Sequence, residues 1–228
     1  MEDFLRYKLQ RRYRELNESR NDSQFSIIKI EHLSRRLAAA TLFCKTISIQ
    51  KRELYSTSPS SNDVSLAELF PDEDSSCLNA FIDSTLFSSN GENSVKFWDE
   101  LSRDNAAYFW LKDRIENGKY NEIKDLIFQK CDNIISPKKS FIIPVVFLAN
   151  TEPEFRKDLI KFHPEFLVLY SYCCESLTEF DKKEILNNLL RKYPYRITNI
   201  ISVFSKNQSF YFFVKDFDVE YVVNELKE

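Results

Sequence analysis

The sequence predicts an all-α protein, either a helical-hairpin array or an irregular helical bundle, with an N-terminal helical arm and a short β-hairpin near the C-terminus. Three observations carry that expectation. Apolar residues recur at steps of three and four along most of the chain, the spacing of one face of a helix. Capping signals, Ser65-Leu-Ala-Glu68, Thr151-Glu-Pro-Glu154 and Thr178-Glu-Phe-Asp181, stand in front of several such stretches. Glycine is nearly absent: Gly91 and Gly118 are the only two in 228 residues, where average usage would give roughly sixteen. So few glycines exclude folds rich in tight turns and the loops that cradle phosphates, including the dinucleotide fingerprint and the P-loop.

In the first segment Leu5, Leu9, Tyr13 and Leu16 form an apolar stripe on an arginine-rich helix. After a polar break at Asn17–Gln24, Ile30, Leu33, Leu37, Ala40, Cys44 and Ile47 recur as a heptad-like seam. Such a seam either docks on a partner helix or packs on the rest of the chain. Read as partner-binding, its residues are Ile30, Leu33, Leu37, Cys44 and Ile47. Residues 56–76, rich in Ser, Pro and Asp, read as a flexible linker. The expected organisation is a helical arm over 1–55, that linker, and a helical body over 77–228.

In the body, helices over Cys77–Ser88 and Ser94–Arg103 flank Asn90-Gly91, and helices over Ala106–Asn117 and Tyr120–Ile135 flank Gly118-Lys119. Ser136-Pro137 offers an N-cap with proline at the first helical position. Phe141–Asn150 is apolar all round, as in a buried helix, with a bend at Pro144. Thr151 opens a helix over Phe155–Phe162 that His163-Pro164 ends, because a residue before proline avoids helical dihedrals. Phe166–Ser176 is apolar again, and Thr178 with Asp181 opens Lys182–Tyr193. In the tail, Ile197, Ile200, Ile201 and Phe204 and later Val219, Val222, Val223 and Leu226 keep helical spacing, while Ser209–Val214 is an aromatic run suited to a strand.

Laid under one another, Leu78–Leu101 and Ala106–Pro137 share an outline: an aromatic first helix, a break at Asn90-Gly91-Glu92 or Asn117-Gly118-Lys119, and a second helix with Phe97/Leu101 or Leu126/Phe128 at its apolar positions. This outline resembles the helix–turn–helix unit of the pentatricopeptide and tetratricopeptide repeats, and Ser140–Phe162 and Leu167–Leu190 follow it without the glycine. The breaks at Gly91, Gly118, Thr151 and Thr178 are spaced 27, 33 and 27 residues, against about 34 in those families. Over about residues 77–190 the resemblance implies stacked helix pairs that present an extended surface for macromolecules.

The net charge of −3 conceals an asymmetry. Residues 1–52 carry twelve Lys/Arg against six Asp/Glu, while 53–118 carry four against thirteen. In the arm, Arg6, Arg11, Arg12 and Arg14 alternate with Tyr7 and Tyr13, the cation-and-aromatic mixture that binds nucleic-acid backbones and bases. Five cysteines without paired spacing read as reduced thiols of an intracellular protein. No signal-peptide core and no apolar run of the ~20 residues that span a bilayer is present, so no membrane partner is expected. Nucleus or cytoplasm is the expected address, with the mitochondrion as the alternative because Arg35–Ser58 is basic, hydroxylated and nearly free of acids.

Chemistry is sparse. The two histidines, His32 and His163, lie in no nucleophile or metal motif. Asp72-Glu-Asp74 lacks the glycine and spacing of a calcium loop and reads as a solvated charge run. No catalytic, cofactor-binding or metal residue is therefore expected. The expected function is a non-enzymatic interaction subunit or scaffold, hetero-oligomeric with other protein subunits, in a multi-protein intracellular complex. The Ser/Asn-rich linker suggests a eukaryotic source. The alternative is an organellar RNA-binding helical-repeat protein acting in RNA processing or translation; a helical carboxylate enzyme ranks third.

Overall fold

In a computed structural model the described residues are 27–51, 63–84, 86–91, 93–131 and 134–192. The expected arm helix before residue 17, residues 56–62 of the linker and the tail from 193 onward lie outside them. Most described residues are helical, with a few short strands, and the chain divides into two compact units after Tyr120. No described helix is long and apolar enough to cross a membrane.

The first unit opens with α1 (Ile27–Phe43). Its periodicity predicts a helix through Ile47, but the chain leaves the helix four residues earlier. Thr46 N–H donates to the Thr41 carbonyl at 3.0 Å and Lys45 N–H to that of Leu42 at 3.3 Å, while Lys45 takes a φ of +54°. This is the Schellman ending, whose left-handed residue is ordinarily glycine because a Cβ there is crowded. In a chain so poor in glycine, a lysine occupies the position. Lys45→Gly is expected to stabilise the unit by about 0.5–1 kcal/mol, read as a raised midpoint in urea. A lowered midpoint would mean that the lysine side chain contributes more than the strain costs.

A four-stranded sheet follows, built from β1 (Ile49–Gln50), β2 (Val64–Ser65), β3 (Phe87–Ser89) and β4 (Ser94–Phe97) in the order β2-β1-β4-β3. β1 pairs parallel with β2 (Ile49 opposite Val64) and antiparallel with β4 (Ile49 opposite Val95). Strands were expected only in the tail. The helical reading of Ser94–Arg103 holds from Glu100 but fails over Ser94–Phe97, where Val95 and Phe97 are buried while Lys96 and Trp98 turn outward, a period of two. Asn90-Gly91 therefore joins two strands of a hairpin rather than two helices.

Two short helices, α2 (Leu66–Leu69) and α3 (Ser75–Ile82), start at Ser65 and Asp74, whose side chains accept from Glu68 N–H and Ser76 N–H. Thus residues 63–76 of the segment read as a linker hold a strand, a helix and the start of another, and Val64, Leu66 and Phe70 are buried.

The last element of the unit is α4 (Glu100–Glu116), which packs along α1. Arg35 crosses between them, donating to Asp113 Oδ2 at 2.8 Å with its guanidinium 4.9 Å from the Phe109 ring centre. Phe43 meets Trp110 edge-on at 5.8 Å. Leu33, Leu37, Ala38, Leu78, Phe81, Ala107 and Leu111 are all buried in this unit.

The second unit takes in α5 (Tyr120–Ile127) from its second residue onward and a hairpin of β5 (Phe128–Cys131) and β6 (Ile134–Pro137). The helix expected through Ile135 stops at Ile127, and Ser136-Pro137 ends a strand instead of capping a helix. After a 3-10 turn, α6 (Ile142–Thr151) is the buried helix foreseen, with Val145–Ala149 all buried. Pro144 sits in its first turn, where an N–H has no partner to lose, so no bend is needed.

Three helices complete it: α7 (Pro153–Phe162), α8 (Pro164–Leu169) and α9 (Glu179–Lys192). Thr151 is the last residue of α6, not a cap, and α7 starts on Pro153 with no side-chain bond from its N-cap Glu152. His163-Pro164 separates α7 from α8 as expected. The capping box of α9 is complete: Thr178 Oγ1 accepts from Asp181 N–H at 3.1 Å, and Asp181 Oδ2 accepts from both Thr178 N–H and its hydroxyl at 2.9 Å.

Two polar hubs tie these helices. Arg156 donates to the Ala149 carbonyl at 2.8 Å, the Asn150 carbonyl at 3.0 Å and Ser176 Oγ at 2.8 Å, with Asp181 Oδ2 at 3.4 Å. Glu165 receives both Lys192 Nζ, at 2.9 Å, and His163 Nδ1, at 3.3 Å. Burial pushes the Glu165 carboxyl up, but the bonds from His163, Lys192 and its own backbone amide outweigh that and hold it below the usual value. A carboxyl held low in the folded state contributes stability above the unfolded value of about 4.3 and loses it as pH falls through the folded one. Glu165→Gln should therefore cost about 1 kcal/mol at neutral pH and flatten the acid limb of unfolding. An unchanged acid limb in a urea–pH titration would show that Glu165 is not the group titrating there.

Candidate functional site

The sequence-derived seam does not form a surface. Ile30, Leu33 and Leu37 are buried within the first unit, Leu37 completely. Exposing such a leucine costs roughly 1.5–3 kcal/mol, and α1 avoids that by turning the ridge inward on its own unit. These three residues are therefore unavailable to a partner. Cys44 and Ile47 lie beyond the end of α1, both exposed. Arg6, Arg11, Arg12 and Arg14 lie outside the described residues.

What does face solvent is the junction between β4 and α4. Strand alternation puts Lys96 and Trp98 on the outer side while Val95 and Phe97 anchor the strand. Asp99, two residues past the strand, caps α4, accepting from Ser102 N–H and from the Ser102 hydroxyl, both at 2.7 Å. The sharp turn places Glu100 and Arg103 beside the strand residues. Together with Ile47, Lys96, Phe97 and Trp98 they line a shallow depression of about 110 Å³.

Its rim is apolar. Trp98 is 66% exposed and Ile47 49%, and Leu101 on the first turn of α4 is 40% exposed. Trp98 makes no ring contact and Lys96 has no ion-pair partner among the described residues. Arg103 is engaged: Nε and Nη2 both reach Asp104 Oδ1, at 2.9 and 2.8 Å. Asp104 is buried, and that burial pushes its carboxyl above the ordinary range against the opposing pull of Arg103.

The arrangement can hold an apolar or aromatic group against the indole with an acceptor beside Lys96. It places no histidine or thiol at the depression, so it offers neither a nucleophile–base pair nor soft metal ligands. Among the described residues no group of His, Cys, Asp and Glu could hold a metal. The described thiols at Cys77, Cys173 and Cys174 are buried, and burial drives Cys174 up to about 12, which keeps it from acting as a thiolate.

Sequence reasoning missed Trp98, Lys96 and Leu101. The available signal was the alternation Val95, Lys96, Phe97, Trp98, which leaves a tryptophan on the polar side of a strand. Compared with known proteins, no family model, no curated protein and no solved structure matches this chain.

Proposed function

We propose that this protein is a non-enzymatic interaction subunit of a multi-protein intracellular complex, and that it meets a protein partner at the Trp98 depression. The observation that carries the reading is an exposed indole, without ring contacts among the described residues, in a depression it lines together with Ile47 and Phe97. Exposed apolar patches of this kind mark interaction sites, and tryptophan dominates the energetic centres of interfaces. The acidic balance of residues 53–118 favours protein over nucleic acid at this place.

The test is co-purification with wild type and Trp98→Ala. A tryptophan at an interface centre contributes about 2 kcal/mol or more, so the variant should weaken the partner at least about thirtyfold with its circular dichroism unchanged. Undiminished recovery of the same partners would remove the depression as their contact. Recovery of RNA that is lost on replacing Arg11, Arg12 and Arg14, with Trp98→Ala silent, would put the organellar RNA-binding reading in its place.

A further inference from the structure

Both glycines of the chain follow an asparagine, and the two Asn-Gly pairs sit in opposite circumstances. Asn117 is the C-cap of α4. Its side-chain Nδ2 donates to the Asp113 carbonyl at 2.6 Å, and the Gly118 N–H donates to the Ile115 carbonyl at 2.9 Å. Both reacting groups of an Asn-Gly pair, the side-chain amide and the next backbone nitrogen, are thus engaged there.

At Asn90-Gly91 neither is. Asn90 uses only its backbone, donating N–H to the Ser94 carbonyl at 2.9 Å and accepting from the Ser94 hydroxyl at 2.7 Å. The Gly91 carbonyl accepts from the Ser89 hydroxyl at 3.0 Å. Among the described residues, no bond is made by the Asn90 side-chain amide or by the Gly91 N–H. Gly91 is exposed, with φ at +123°, and a Cβ built on it would meet nothing nearer than the Ser94 hydroxyl at 3.6 Å. An attacking backbone nitrogen without a side chain on its own residue meets the least steric hindrance.

We propose that Asn90 is a site of spontaneous deamidation and that the fold protects Asn117. The Gly91 backbone nitrogen, deprotonated by solvent base, bonds to the Asn90 side-chain carbonyl carbon. The C–N bond of the side-chain amide breaks, and its nitrogen leaves as ammonia with a proton from water. The five-membered succinimide is then opened by water at either carbonyl, giving aspartate or isoaspartate. Only water is consumed, and nothing is oxidised or reduced. Either product adds a negative charge to the hairpin, and isoaspartate also inserts a carbon into the backbone joining β3 to β4. That insertion falls beside the Ser89–Val95 pair that sets the register of β4.

The full chain, held at mildly alkaline pH and body temperature and followed by peptide mass spectrometry, tests this. The mass gain of an amide turned acid should appear at Asn90 at least about tenfold faster than at Asn117, whose two hydrogen bonds must first open. Released ammonia should match the conversion, and isoaspartate should form at position 90. In concentrated urea the two sites should react at a common rate, since both are then followed by an unhindered glycine. Asn90→Gln, which would need a six-membered ring, should suppress the reaction at that position. An intact Asn90 in the native chain, or native rates at Asn117 equal to or above those at Asn90, would overturn the proposal. So would a difference between the sites that persists unchanged in urea, because it would then owe nothing to the fold.

Discussion

Leu37→Asp should unfold the first unit rather than merely detach a partner. Leu37 is fully buried, on the face of a helix that packs along α4. Removing a leucine side chain from such a position costs about 2–5 kcal/mol through lost transfer energy and the cavity left behind. A carboxylate adds a desolvation cost of its own, because a charge taken out of water is expensive unless an opposite charge meets it. Together these reach or exceed the ~5–15 kcal/mol that holds an ordinary domain. The expected readout is loss of the unit's cooperative transition and rapid proteolysis between residues 27 and 119, while the second unit keeps its own transition. A folded Leu37→Asp chain that had only lost a binding partner would restore the seam as a docking surface.

Arg156→Ala should have the largest effect on the second unit. The guanidinium satisfies two carbonyls at the end of α6, a hydroxyl in the segment before α9 and the carboxylate of the α9 capping box. Those carbonyls have no other helical partner, since the last turn of a helix leaves its acceptors open. Losing a charged donor that serves several part-buried acceptors costs roughly 2–3 kcal/mol. Arg156→Lys should recover only a minor part, because an ammonium cannot reproduce the planar fork that bridges α6, Ser176 and Asp181 at once. Hydrogen exchange should report the loss at the end of α6 and the start of α9 together. A variant that melts like the wild type would mean that water replaces the guanidinium at little cost.

The parts of this structure that the sequence makes legible are the ones whose signals are local. Helical periodicity finds α1, α6, α7 and α9, and side-chain chemistry finds the caps at Ser65 and Thr178 and the His163-Pro164 break. What it misses has physical causes. Strands of two to four residues, such as Ile49–Gln50 or Ser94–Phe97, are too short for alternation to outweigh a three-and-four pattern that runs past them. The stop of α1 is invisible because a lysine fills the left-handed position where glycine would announce it. Ile30, Leu33 and Leu37 are correctly a buried face, but which surface covers them is a long-range fact that no local pattern encodes. The candidate site shares that dependence: Trp98 matters only once the β4–α4 junction holds it outward.

The bridge from Arg35 to Asp113 spans 78 residues, whereas the bonds that close the second unit, such as Asn188 to the Ile160 carbonyl, span 28. Chain-closure entropy makes the longer loop costlier by about 1 kcal/mol, and rates fall as contacts become less local. During synthesis α1 emerges before α4, and its oily ridge has no lid until the ribosome has released α4. Throughout that interval Leu33 and Leu37 are bare to solvent, the condition in which nascent chains recruit chaperones or aggregate. A stall placed after α3 should therefore yield a chaperone-bound nascent chain, and a stall well past α4 should yield one that has let go.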